Sequence, residues 1–174
     1  MSYIDITLPV SVDLPVWPGD PAVSLVATKS MLKGDPCNLT QIQIGVHTGT
    51  HIDAPLHFLK NGSTVNSIPL DVLMGPCLVV EVSSTVLIAK NDLQHVKLEG
   101  YRRIVIKTKN SRLWSRQPCL FEKQFIALSL EAAEFLVEKK FFLVGIDYLS
   151  IESFHNDGNK VHKELLSHNV LTVS

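Results

Sequence analysis

The chain has no surplus of positive charge. Lys and Arg total 16 against 17 Asp and Glu, a net charge of -1. Gripping a phosphate backbone or an anionic bilayer takes clustered cations, so neither nucleic acid nor a membrane surface is an expected partner. Long apolar runs are also missing. The longest stretch, Val72–Val80, is broken by Gly75 and Pro76 and falls far short of the roughly 20 residues a spanning helix needs. Asp5 stands in an N-terminus with no basic segment, which is not the pattern of a secretory signal. Cysteine is scarce: Cys37, Cys77 and Cys119 are far apart, odd in number and without a CxxC pair. That excludes a disulfide frame or a zinc knot and predicts reduced thiols in a cytoplasmic protein. No GxSxG occurs, which removes the nucleophile elbow of a serine hydrolase. Neither repeats nor linker-like segments divide the sequence. What remains is 174 residues with 45% apolar and 19% charged side chains, enough for one well-cored domain over residues 1–174.

Short strands dominate the pattern. Tyr3–Val16 alternates apolar residues but is broken by Pro9 and Pro15, as in an edge strand or an irregular lead-in. Trp17-Pro18-Gly19-Asp20-Pro21 is a rigid turn. Val23–Lys29 and Leu39–Val46 have strand periodicity, and Cys77–Val82 and Arg103–Lys107 are β-branched runs expected to be buried strands. Ser129–Lys140 is the clearest helix, with Ser129 as N-cap, Glu131 in the first turn and Lys139 and Lys140 at its end. Phe141–Ile146 and Val170–Val173 complete the strands. The expected fold class is α/β, a mixed sheet with few helices.

The chemistry concentrates in Val46-His47-Thr48-Gly49-Thr50-His51-Ile52-Asp53-Ala54-Pro55-Leu56-His57, where three of the seven histidines and an aspartate fall within eleven residues. Imidazole and carboxylate are the preferred ligands of first-row divalent cations. The His47-x-x-x-His51 spacing suits one face of a helix, but two threonines and a glycine between them disfavour that helix. A straight strand is excluded as well, since four residues of it span roughly 13 Å. The backbone therefore bends, and Gly49 is the residue that permits the bend. His51 and Asp53, two apart, share a face on extended backbone. These constraints place His47, His51 and Asp53 around one cation, with His57 beyond them. Three protein ligands with open positions is a catalytic arrangement, in which the cation acidifies water and polarises a carbonyl. An unligated His57 nearby is suited to moving protons near neutral pH.

The run from His47 to Phe58 closely resembles the HxGTHxDxPxH motif of the cyclase family of metal-dependent hydrolases, which includes kynurenine formamidase (arylformamidase) and isatin hydrolase. The resemblance extends over nearly the whole chain. It includes Asp5–Pro9, Trp17–Pro21, Lys107–Ser111, Phe125–Ser129 through Gly145–Asp147, and Val161–Leu166. It implies the family's β/β/α, swivelling-domain-like fold and dimers or tetramers. It further implies one or two zinc or manganese ions. His47, His51 and Asp53 would hold the first, Asp53 would bridge to a second, and His162 would be a ligand of that second ion. His57 would donate and accept protons, and Trp17 would line the substrate pocket, where its ring suits stacking on a planar molecule. Asp147 is either a partner orienting a histidine or a turn cap. Trp114 is expected in surface packing or a subunit contact, and His95 and His155 in solvent. His168 matches no position of the motif.

One position departs from the family. The resemblance calls for a bridging glutamate twelve residues after His162, where Ser174 stands. Either the chain is a shortened form or a ligand has been lost, and a hydroxyl brings no charge to offset two dications. Two functions compete: hydrolysis of an amide or lactam C–N bond, as in arylformamidases, or a catalytically weakened metal-binding scaffold or regulatory protein of the same fold.

Overall fold

A computed structural model describes residues 4–116 and 118–174. Nine strands and four helices follow in chain order among the described residues: β1 Ser24–Lys29, β2 Leu39–Gln43, β3 Ile52–Asp53, α1 Leu70–Leu73, β4 Leu78–Glu81, β5 Leu87–Ile88, α2 Lys90–Leu93, β6 Arg103–Lys107, β7 Ala127–Leu128, α3 Leu130–Glu138, β8 Leu143–Ile146, α4 Lys160–Ser167 and β9 Leu171–Val173. The main sheet has the order β3-β9-β8-β6-β4. Its β4, β6, β8 and β9 run parallel, and β3 joins antiparallel to β9 through Ile52↔Val173 and Asp53↔Thr172. β1 and β2 form an antiparallel ribbon, and β5 pairs with β7 in parallel. The sheet is mixed and the helices are few, as expected.

The parallel pairs require crossovers, and helices supply them. α3 lies between β6 and β8, and α4 between β8 and β9. The Ser129 hydroxyl accepts a hydrogen bond from Ala132 N at 3.2 Å, capping α3 as its sequence predicts. Alternate residues of the inner strands, Ile104 and Ile106 on β6 and Val144 and Ile146 on β8, pack with Ala132, Ala133 and Leu136 of α3 and Val161 and Leu165 of α4 in one core cluster. Each fully buried aliphatic side chain of this kind stabilises the fold by about 1.5–3 kcal/mol. α4 has no sequence signal at its start: Asn159 is left-handed (φ 53°) and offers no side-chain cap. Its buried positions, Val161, His162, Leu165 and Leu166, nevertheless follow helical spacing.

One open reading is decided and two expectations change. Residues 4–23 form no strand and are the irregular lead-in; Tyr3 lies outside the described residues. The second predicted strand stops at Gln43 rather than Val46, and its alternation does not bury a face, since Ile42 and Leu39 are both about half exposed. The run at 77–82 is an edge strand, β4, with Val79 66% exposed, because only β6 pairs with it. The predicted turn at Trp17–Pro21 is present. Asp20 N donates to Trp17 O at 2.9 Å and Gly19 has φ 100°.

Candidate metal centre

The centre lies where the parallel strands end. Reciprocal hydrogen bonds, His51 N to Ser174 O at 3.0 Å and Ser174 N to His51 O at 3.2 Å, extend the β3–β9 pairing by one residue. Asp53 stands opposite Thr172 and His51 opposite Ser174, so all four side chains share one face. Ahead of β3 the chain bends at Gly49, which has φ 68°. That bend returns His47 to Asp53, with His47 Nδ1 2.8 Å from Asp53 Oδ1. His51 Nε2 lies 3.4 Å from the same oxygen. His51 Nδ1 is paired with the Gly49 carbonyl at 2.9 Å, which fixes the proton on Nδ1 and leaves the Nε2 lone pair facing Asp53.

The His51–Asp53 distance fits two donors on one cation, and the 2.8 Å His47–Asp53 hydrogen bond is a few tenths of an ångström short of that spacing. Two donors about 2.1 Å from one ion stand roughly 3.0–3.4 Å apart in octahedral or tetrahedral geometry. Among the described residues, His47, His51 and Asp53 form the one group of three that could hold a metal, with ligand atoms within 4.8 Å of one another. Three buried side-chain oxygens lack a hydrogen-bond partner among the described residues: Thr48 Oγ1, Glu152 Oε1 and Ser174 Oγ. Thr48 adjoins His47, Glu152 holds His162, and Ser174 faces the side of β3 that carries His51 and Asp53. Of these, Glu152 lines the same cavity as His47, His51 and Asp53, and Ser174 is paired with His51, so two of the three unpartnered oxygens belong to residues beside the cluster.

Burial alone would raise the Asp53 pKa, but bonds from His47, His51 and Thr172 outweigh it and hold the carboxyl well below its usual range. Asp53 is therefore ionised at every physiological pH. For His51, burial acts downward, yet Asp53 and the Gly49 carbonyl raise its pKa overall. His57 differs. Burial lowers its pKa, with His47, His162 and His51 adding to the effect against Asp53. It is neutral at pH 7, and its ring stacks on His47 with centroids 3.6 Å apart. Pro55 starts the tight turn that carries His57, and a Cβ at Gly62 would collide with the Pro55 backbone, so that glycine lets the next loop lie against the turn.

His162, in α4, reaches the same place from the other side. Its Nε2 is 3.7 Å from Asp53 Oδ2, and Glu152 Oε2 holds its Nδ1 at 2.7 Å. Glu152 was not among the sequence candidates. Neither was Thr172, whose hydroxyl donates to Asp53 Oδ2 at 2.8 Å. Both lie far from the histidine run in sequence and match no short motif around it. The Glu152 pKa is lowered, because the bonds from His162 outweigh burial. A carboxyl with a depressed folded pKa stabilises the fold above its unfolded pKa, and that contribution is lost as pH falls. The metal-free protein is therefore expected to lose stability as pH drops from about 5 toward 3. In Glu152→Gln that decline should be shallower, measured by urea unfolding of chelator-treated protein across this range; an unchanged slope would refute the assignment.

The cluster opens into a cavity of about 410 Å³, a volume suited to a small aromatic molecule. Trp17 lines it, as does Phe154, their rings 5.2 Å apart, and Phe58 covers His162 at 4.3 Å. Trp17 also meets Phe121 edge-on at 5.1 Å, which anchors the wall. A second hollow, lined by Leu98, Glu99, Gly100, Arg102 and Lys139, shares none of these residues. Asp147 accepts bonds from the backbone and hydroxyls of Thr108 and Ser111 and so ties a turn rather than orienting a histidine. Trp114 packs on Tyr148 and donates to Asp147 O at 2.9 Å. His95, His155 and His168 are exposed.

An α/β sheet with two imidazoles and a carboxylate converging at its strand ends defines the chain as a metal-centre protein of the α/β class. Residues 4–153 match the family model described as "Putative cyclase". The chain belongs to the cyclase family. It is 32% identical over 168 residues to a kynurenine formamidase of Bacillus thuringiensis subsp. konkukian, covering 97% of this chain and 78% of that relative. A predicted metal-dependent hydrolase from Bacillus stearothermophilus superposes with a TM-score of 0.80 at 33% identity, over 98% of this chain and 80% of that one. An isatin hydrolase bound to the product analogue thioisatinate shares the fold, with a TM-score of 0.83 at 16% identity, over 98% of this chain and 77% of its own.

Proposed function

We propose that the chain is a metal-dependent hydrolase that cleaves an amide or lactam C–N bond, with an arylformamide as the substrate type. The observation that carries this reading is the convergence of His47, His51 and Asp53 beneath an aromatic-walled cavity. A divalent cation held there, zinc or manganese for two imidazoles and one carboxylate, supplies Lewis acidity and an acidified water. Trp17 and Phe154 offer flat faces to a planar ring. His57, uncharged at pH 7, accepts the proton of the attacking water and delivers it to the departing nitrogen. Kynurenine formamidase relatives at 30–32% identity over 97% of the chain support the amide chemistry. The test is formate release from an N-formyl aromatic amine by metal-loaded protein, stopped by a chelator and restored by zinc or manganese. Turnover indifferent to chelation would refute the reading. Ser174 favours a second reading, a catalytically weakened metal-binding scaffold or regulatory protein of the same fold; bound metal with no turnover across amides and lactams would support it.

The same reading takes residues 1–174 as a single cyclase domain working in the cytoplasm, a setting consistent with free Cys37, Cys77 and Cys119. It also takes the chain as a homo-oligomer, a dimer or tetramer. Val79, Val105, Gly145 and Val173 form one row across the main sheet, and Val79 is largely uncovered. Parallel sheets are normally covered on both faces. The β1–β2 ribbon likewise exposes Leu25, Val26, Leu39 and Ile42, and an isolated two-stranded ribbon is marginal in water. A second copy covering these apolar surfaces accounts for both. Sedimentation at micromolar concentration is expected to show at least a dimer, and a monomer would contradict it.

A further inference from the structure

We infer that the centre takes one divalent cation, not two, and that Ser174 is the residue that sets this limit. The inference rests on the metal-centre reading above and concerns how many ions the same residues hold. The two oxygens of Asp53 have different surroundings. Oδ1 faces His47 Nδ1 at 2.8 Å and His51 Nε2 at 3.4 Å, which makes it the oxygen of the three-ligand group. Oδ2 accepts the Thr172 hydroxyl at 2.8 Å, so one of its lone pairs is already used. A second cation would have to sit on that Oδ2 side with His162 Nε2, 3.7 Å away, as its other charge-competent neighbour. His162 brings no negative charge, and Oε2 of Glu152 is already held by its Nδ1.

The remaining side chain on that face is Ser174. Its backbone pairs with His51, which fixes its direction, and its hydroxyl is buried without a partner. A neutral hydroxyl is a weak donor and does nothing to offset charge. Two dications against the carboxylates of Asp53 and Glu152, which line the same cavity, would leave two uncompensated positive charges in a partly buried site. One dication against the same two carboxylates is balanced. The residues fit one ion and do not fit two. The unpartnered Ser174 hydroxyl is then a hydrogen-bonding group for water beside the ion, not a ligand.

The test counts ions and needs no turnover. Protein is saturated with Zn²⁺, freed of excess by gel filtration and analysed for zinc and protein. Wild type is expected to hold one zinc per chain. Ser174→Glu and, with less change in shape, Ser174→Cys supply the missing negative donor and are expected to hold two. In Ser174→Cys loaded with Co²⁺, a sulfur-to-cobalt charge-transfer band should report ligation by the new thiolate, even if the glutamate variant fails to fold. Two zinc ions on wild type would overturn the inference alone, as would a folded Ser174→Cys that stays at one ion and shows no such band. No zinc on wild type would overturn the metal-centre reading itself.

Discussion

His57→Ala is expected to keep its metal and lose turnover, by the roughly 10²–10⁴-fold typical of a general acid–base group. The histidine stands outside the three-ligand group and stacks on His47 rather than pointing a donor at Asp53. Burial and the neighbouring imidazoles lower its pKa, so at pH 7 it is already the base that the first proton transfer needs. Turnover should therefore fall as acid protonates His57, and that acid limb should vanish in the variant. A purely structural His57 predicts something else. Removing a ring stacked on a ligand would then weaken metal retention and stability together, with little change in activity per bound metal. Metal content and formate release measured on one sample distinguish the two outcomes.

His51→Ala should reduce bound metal from stoichiometric to background. Its Nε2 is the one ligand nitrogen whose direction is fixed by a hydrogen bond from the opposite ring atom to backbone, at Gly49 O. Without it, His47 and Asp53 remain as two donors, too few to hold an ion against water. The fold should survive, because Asp53 keeps His47 and the Thr172 hydroxyl. Zinc should raise the melting temperature of wild type, since a ligand at 100 times its Kd adds about 2.7 kcal/mol. The variant should show no such shift. Retention of stoichiometric metal in elemental analysis would remove His51 from the ligand set.

The convergence of His47, His51 and Asp53 was legible in sequence because the three residues are close together. A glycine between two histidines, followed by an i, i+2 carboxylate, leaves few backbone paths, and the bend at Gly49 is the one adopted. Glu152 and Thr172 were not legible. Each acts by touching a side chain of the cluster 10 or 119 residues away in sequence, and nothing in its own neighbourhood announces that contact. Strand periodicity located β6 and β8, whose neighbours on both sides bury them. It overstated β2, where alternation implies a covered face, and a β-branched run likewise overstated the burial of β4; the described chain covers only part of each. α4 lacked a cap signal, so its helical spacing passed for part of a motif.

The short pairing of Ile52 and Asp53 with Thr172 and Val173 joins segments far apart in sequence, Asp53 and Thr172 being 119 residues apart. Closing so long a loop costs entropy before any contact repays it, so this pairing is expected among the last steps of folding. The candidate ligands His47, His51 and Asp53 are local to one another, but their supporting strand arrives only with β9. An unfinished chain thus offers a loose histidine cluster, and tight capture of metal follows completion of the sheet. In hydrogen exchange, the amides of His51 and Ser174, bonded to each other's carbonyls, should open together and be slowed together when zinc is bound.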